Sequence, residues 1–134
     1  MKNNTFVLDV NIWITCFYNK QPDYISELVK KFGITIYRSP VLTDELERVL
    51  HYKKLAKKIV LSKEFYMDIY FDSTHNIVTF PIFTDCPDPK DNYLFYLAIQ
   101  AQADFLVSGD DDVLNTSVSP PLQIISFTQF RNLF

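Results

Sequence analysis

Four acidic residues stand where the pattern of apolar residues changes, and their side chains are the best candidates for chemistry. Asp9 follows an apolar run, Asp91 follows a loop with three prolines, and Asp110 comes two residues after Ser108 in "LVSGDDD". Glu45 falls on the apolar side of a predicted helix, where a carboxylate is costly unless a positive group meets it. We therefore ask whether these acids share one site.

Carboxylates gathered from four segments would repel one another unless a cation lay between them. Hard oxygen ligands favour Mg²⁺ or Mn²⁺, and such ions can activate water and brace the charge that develops on a phosphodiester. No histidine falls clearly beside these acids. His51 at a predicted helix end and His75 in a predicted loop are interpreted as structural or surface residues.

Each acid also has a simpler interpretation. Asp9 could be a strand-end or capping acid, Asp91 a helix cap, and Asp110 a turn residue. Glu45 could be a half-exposed helix residue. These alternatives stay open at the level of sequence.

The elements that must position the acids alternate between short apolar strands and helices. Strands are predicted at about 5–10, in "ITIYRS", in "NIVTF", in "DFLVS" and in "LQIISF". In the first half of the chain, helices are predicted from Asn11 to Asn19, in "DYISELVKKF" up to Gly33, and after Ser39, which can cap a helix that has Pro40 in its first turn. Further helices are predicted in the lysine-rich stretch, from Ser62 to Ser73, from Asp91, in "GDDDVL" and in "TQFRNLF". The alternation predicts an α/β fold, a three-layer α/β/α sandwich with a central parallel sheet. Because ligands bind outside the carboxyl ends of such strands, the acids should meet at one edge.

Composition narrows the class of protein. The chain of 134 residues is expected to form one domain, 1–134, and its two glycines exclude glycine-rich phosphate loops. Cys16 and Cys86 are expected to be reduced packing thiols in a cytoplasmic protein, and no signal peptide or membrane span is predicted. The net charge of −3 does not suggest nucleic-acid binding through bulk positive charge.

Several segments together resemble the PIN-domain family of ribonucleases. They are "FVLDVNIWI", "SPVLTDELERVL", "DPKDNYLFYLAIQAQADFLVSGDDDVL" and "IISFTQF", in the family's order and over nearly the whole chain. The resemblance implies a Rossmann-like sandwich and a Mg²⁺- or Mn²⁺-dependent endoribonuclease that cleaves RNA. It implies metal-binding, catalytic acids at Asp9, Glu45, Asp91 and Asp110.

The resemblance also implies supporting residues and partners. Asn11 and Ser108 match polar positions that support the acids by hydrogen bonds, and Asp112 is a reserve acid. "DVN" and "SGD" stand where "DTN" or "DSN" and "TGD" are commoner, and neither change removes an acid. The long third segment is similar to toxin components of toxin–antitoxin pairs, which implies a cognate antitoxin and a homodimer or higher oligomer.

Two surface features have two interpretations each. Lys53, Lys54, Lys57, Lys58 and Lys63 form either a solvated helix face or a path for RNA phosphates. The aromatic residues Phe65, Tyr66, Tyr70 and Phe71 form either a partner-binding helix pair or an ordinary core.

Three other functions are weighed against the nuclease. A phosphatase resembling the haloacid dehalogenases would need an acid where Asn11 stands and another where Leu114 stands. A receiver-type phosphorylation switch would need a lysine near the last strand, which "LQIISF" lacks. A non-catalytic PIN-like module that binds RNA or protein would not need the four acids.

Overall fold

A parallel sheet of five strands organises the chain. The computed structural model describes residues 4–52 and 61–134. Within these ranges the strands lie in the order β3-β2-β1-β4-β5, and all the pairs are parallel. The strands are β1 (Thr5–Leu8), β2 (Thr35–Arg38), β3 (His75–Asn76), β4 (Phe105–Val107) and β5 (Gln123–Ile125).

Helices connect the strands and complete the predicted α/β/α sandwich. In the described ranges they are α1 (Val10–Tyr18), α2 (Tyr24–Phe32), α3 (Pro40–Leu50), α4 (Lys63–Ser73), α5 (Asn92–Gln100), α6 (Asp111–Leu114) and α7 (Phe127–Arg131). A 3₁₀ turn, Pro89–Asp91, precedes α5. No helix in the described part of the chain is long and apolar enough to cross a membrane. The predicted fold class is confirmed.

Helix ends follow the chemistry of the residues that stand there. Ser39 caps α3 by accepting from the Leu42 amide at 3.3 Å, with Pro40 in the first turn as predicted. Ser62 caps α4 in the same way. Gly33 ends α2 with φ 65°, a left-handed conformation that favours glycine.

The centre of the core is β1, because it lies between β2 and β4. Phe6, Val7 and Leu8 are fully buried, as expected for a parallel strand covered on both faces. Asp104 fastens the start of β4 to the start of β1, because its carboxylate accepts from the Thr5 amide at 3.0 Å and the Thr5 hydroxyl at 3.2 Å.

The aromatic residues of α4 differ in burial. Tyr66 and Tyr70 are buried, and Tyr70 packs edge-on against Trp13 at 5.1 Å between ring centroids. Phe65 and Phe71 are exposed. Both cysteines are free, with Cys16 buried and Cys86 partly buried.

Several predicted boundaries were wrong. The first strand ends at Leu8 and not at residue 10, because α1 begins at Val10 and not at Asn11. Asp9 stands at the cap position of this helix. The third strand is short because its partner β2 stops at Arg38, beyond which Ser39 starts a helix. His75 therefore lies in this strand and not in a loop. The helix predicted in the lysine-rich stretch lies outside the described residues.

Candidate functional site

The acids that follow β1 and β4 lie at the same edge of the sheet. The two strands are neighbours and run in parallel, and the Asp9 amide donates to the Val107 carbonyl at 2.9 Å. The chain leaves β1 towards β2 on one side and arrives at β4 on the other, so this is where the strand order reverses. Such a reversal opens a crevice at the carboxyl edge in which α/β proteins bind ligands.

Ser108 connects Asp9 to the segment that carries Asp110. Its hydroxyl donates to Asp9 Oδ2 at 2.7 Å and accepts from the Asp110 amide at 3.0 Å. Ser108 is fully buried, so both bonds are shielded from water. This arrangement fixes the Asp9 carboxylate relative to the turn after β4.

Asp9 is a buried carboxylate with only 6% of its surface exposed. Burial raises the pKa of Asp9, and the negative charge of Asp110 adds to that effect. The Ser108 hydroxyl and the Asn11 backbone amide oppose the rise in pKa. Asn11 itself has an exposed side chain, so its support for Asp9 comes from the backbone.

Asp110 and Asp112 contact each other through one backbone amide. Asp110 Oδ1 accepts from the Asp112 amide at 2.8 Å, which caps the short helix α6. Asp110 therefore has a structural role through one of its oxygens, although as a helix cap and not only as the turn residue of the simpler interpretation. Asp112 is exposed, and its charge contributes to the field around Asp91.

Asp91 has an unpaired oxygen beneath the surface. It stands at the cap position of α5, yet its side chain makes no capping hydrogen bond. Its Oδ2 atom is buried and has no hydrogen-bond partner. Burial, together with the charges of Asp110 and Asp9, raises the pKa of Asp91 to about 6. The interpretation of Asp91 as a simple helix cap is wrong, because neither of its carboxylate oxygens accepts a capping hydrogen bond.

Glu45 has a positive partner on its own helix. Arg48 donates to both carboxylate oxygens, to Oε2 from Nε at 3.2 Å and to Oε1 from a terminal nitrogen. The Glu45 side chain is 34% exposed, so it lies at the rim of the core and not within it. The prediction that something positive must meet Glu45 is correct, but the ion pair occupies both oxygens.

Tyr93 lies near the acids, and it was not predicted from the sequence. It is partly buried in the first turn of α5. Burial raises the pKa of Tyr93, and the charges of Asp9, Glu45 and Asp91 raise it further, in that order. Tyr93 therefore lies within the electrostatic reach of three of the predicted acids. Its position two residues after Asp91, at the start of a helix, was the available signal.

The acid set fits a cation in its chemistry, although it does not form a closed cage. Among residues 4–52 and 61–134, no three side chains of His, Cys, Asp or Glu are placed so that they could hold a metal ion. The buried, unpaired Asp91 oxygen and the mutual repulsion of Asp9, Asp91 and Asp110 nevertheless fit a divalent ion with oxygen ligands. Lys53, Lys54, Lys57 and Lys58 lie outside the described residues.

Comparison with known protein families identifies the family of this chain. A family model described as "PIN domain" matches residues 5–112, which include all four predicted acids. No curated protein sequence matches the chain. PIN domains are generally nucleases that use divalent metal ions, so the match supports a hydrolase of the nuclease type.

Proposed function

This chain belongs to the PIN-domain family, and from that premise we propose that it is a metal-dependent endoribonuclease that hydrolyses RNA phosphodiester bonds. The observation that carries the proposal is the buried Oδ2 of Asp91, which no hydrogen bond satisfies. A buried charged oxygen without a partner is costly, and it lies in the field of Asp9 and Asp110. A divalent cation is the ligand that would offset this cost.

The residues of the site would divide the work between them. Asp9, Asp91 and Asp110 would hold the ion, and oxygen donors favour Mg²⁺ or Mn²⁺. When bound, the ion supplies Lewis acidity and lowers the pKa of coordinated water. Ser108 keeps Asp9 in one orientation, and Tyr93 lies within the electrostatic field of Asp9 and Asp91. Glu45 would join as a ligand only by releasing Arg48.

We further propose a toxin role in a toxin–antitoxin pair, in the cytoplasm, with a homo-oligomer as the active assembly. The support is the similarity of the segment from Asp88 to Leu114 to toxin components of this family. The cognate antitoxin would then be encoded next to this chain. Growth arrest on expression, reversed by co-expression of that neighbour, is the expected result; unimpaired growth would contradict the toxin role.

Cleavage of a mixed RNA pool tests the enzymatic proposal. Purified protein would be incubated with single-stranded and structured RNA in Mg²⁺, Mn²⁺ or EDTA. We expect cleavage with either metal, none in EDTA, and at least a hundredfold loss in Asp9→Asn, in line with about 10²–10³ for one electrostatic group. Asp111→Asn is the control, because Asp111 is an exposed acid next to Asp110. Equal cleavage by the two variants would contradict the assignment of Asp9.

A second candidate function is RNA or protein binding without cleavage. It is favoured by the Glu45–Arg48 ion pair, which occupies a predicted ligand, and by the absence of a closed acid cage among the described residues. Its signature would be RNA binding that Asp9→Asn leaves unchanged, together with no cleavage by the wild-type chain in either metal.

A further inference from the structure

An aromatic groove lies beside the acids, with a cavity volume of about 310 Å³. Residues that line it include Val41, Phe80, Lys90, Asn92, Tyr93 and Tyr96. The groove adjoins Asp91, because Lys90 and Asn92, which line it, are the chain neighbours of Asp91, and Tyr93 follows in the first turn of α5. Whatever binds in the groove therefore lies next to the proposed cleavage site.

Phe80 is an exposed ring on a fixed backbone. The residue is 65% exposed, within a segment that has no regular secondary structure. The side chain of Gln100, at the end of α5, nevertheless bonds both the amide and the carbonyl of Phe80. Its Oε1 accepts from the Phe80 amide at 3.1 Å, and its Nε2 donates to the Phe80 carbonyl at 2.6 Å. A single exposed phenylalanine is ordinary, but one held in this way is preorganised for contact.

The chemistry of the groove suits an unpaired nucleobase. Tyr93 and Tyr96 are three residues apart on α5, so their rings share one side of the helix. Aromatic faces stack on bases whatever the sequence, and a nearby cation pairs with the adjoining phosphate. Lys90 is the cation that lines the groove.

We infer that this groove binds one unpaired base of single-stranded RNA next to the scissile phosphate, with Phe80 as the stacking residue and Lys90 on the neighbouring phosphate. The inference rests on the proposed ribonuclease function and adds to it the residues that would hold one base of the substrate. Gln100 is a positioning residue, since it acts through the backbone of Phe80. RNA in a duplex would gain nothing from the groove, because its bases are already stacked and covered.

Binding of labelled RNA hexamers in EDTA tests the inference without requiring cleavage. Phe80→Ala should weaken single-stranded binding about tenfold and duplex binding not at all. Phe80→Tyr should restore the affinity, and Phe80→Leu should not. The matched control is Phe83→Ala, an 87% exposed phenylalanine in the same segment that lines a different cavity. Lys90→Ala should flatten the salt dependence by about 0.7 in log–log slope, as expected for one lost phosphate contact.

A hexamer series with one abasic position at a time locates the base. The wild-type chain should lose affinity at one position, and Phe80→Ala should abolish that difference. Phe80→Ala should also raise the KM for cleavage about tenfold, with kcat little changed, because it acts on binding. Folding of every variant is checked by the fluorescence of Trp13, the one tryptophan of the chain.

The outcomes separate this inference from the proposed function. If the wild-type chain cuts RNA and Phe80→Ala behaves like Phe83→Ala in both affinity and KM, the groove assignment is overturned and the nuclease stands. If the wild-type chain neither cuts nor binds any RNA, the proposed function is overturned and the inference with it. An effect of Phe80→Ala on the capture of a protein partner, with RNA affinity and KM unaffected, would also overturn the inference.

Discussion

Asp91→Asn should stabilise the metal-free protein at neutral pH. The pKa of Asp91 is raised from 3.8 to about 6 in the folded state, so folding must overcome the cost of its charge at pH 7. At about 1.4 kcal/mol per pKa unit, the difference amounts to about 3 kcal/mol at most. Asp91 is partly exposed and water screens its charge, so we expect a gain of about 1–2 kcal/mol in the free energy of unfolding.

The pH dependence fixes the sign of the effect. Because the folded-state pKa is the higher one, the favourable protonated form contributes fully below about pH 4, and this contribution is lost as the pH rises through about 6. The variant carries no such charge. The difference between Asp91→Asn and wild type should therefore be near zero at pH 4, grow between pH 4 and 6, and be constant above pH 7.

Urea unfolding in EDTA, followed by Trp13 fluorescence, measures this difference. Trp13 is fully buried, so its emission should report loss of the core. The control is Asp85→Asn, which removes a charge from an exposed acid in the loop before Asp91. An equal gain in the control would show that the effect is general charge relief. No gain at pH 7.5, or the same gain at pH 4, would refute the reasoning. Saturating Mn²⁺ should stabilise the wild-type chain and so remove the difference in unfolding free energy between it and Asp91→Asn.

Two further predictions concern buried polar groups. Ser108→Ala should lower the free energy of unfolding by about 1–3 kcal/mol and raise the pKa of Asp9 further, because the hydroxyl bonds both Asp9 and the Asp110 amide. Ser108→Thr keeps the hydroxyl and is the control. Equal urea midpoints for the two variants would count against this role of the hydroxyl. Burial raises the pKa of Cys16 to about 12, whereas Cys86 is partly exposed. A chromogenic disulfide reagent should therefore titrate one thiol in the native protein and two in urea, and rapid labelling of two native thiols would contradict the burial of Cys16.

Much of the fold was predictable because its causes are local. The caps at Ser39 and Ser62 and the glycine at Gly33 mark helix ends through their own backbone and side-chain chemistry. The apolar run before Asp9 predicted a buried strand, which the structure confirms. By contrast, the length of β3 depends on where its partner β2 ends, which the segment 76–80 does not encode.

The site was predictable in its place and less so in its contacts. Asp9 and Asp110 follow strands that must run in parallel, so their common edge followed from topology. The ion pair between Glu45 and Arg48 could have been predicted, since the two residues are three apart on one helix. The only sequence signal for Tyr93 was its position two residues after Asp91. The hydrogen bonds between Gln100 and Phe80 had no such signal, because they join residues that only the folded chain brings together.

The bonds between β1 and β4 set the order in which activity can arise during synthesis. The hydrogen bond between Thr5 and Asp104 and the one between Asp9 and Ser108 each join residues that are 99 positions apart in the chain. A nascent chain that reaches only residue 100 holds Asp9, Glu45 and Asp91 but lacks the strand that orients Asp9. If the chain cleaves RNA as proposed, the nascent chain should not cleave the mRNA that is being translated until its last quarter has left the ribosome. The reason is that the contacts between β1 and β4, which are distant in sequence, form only then.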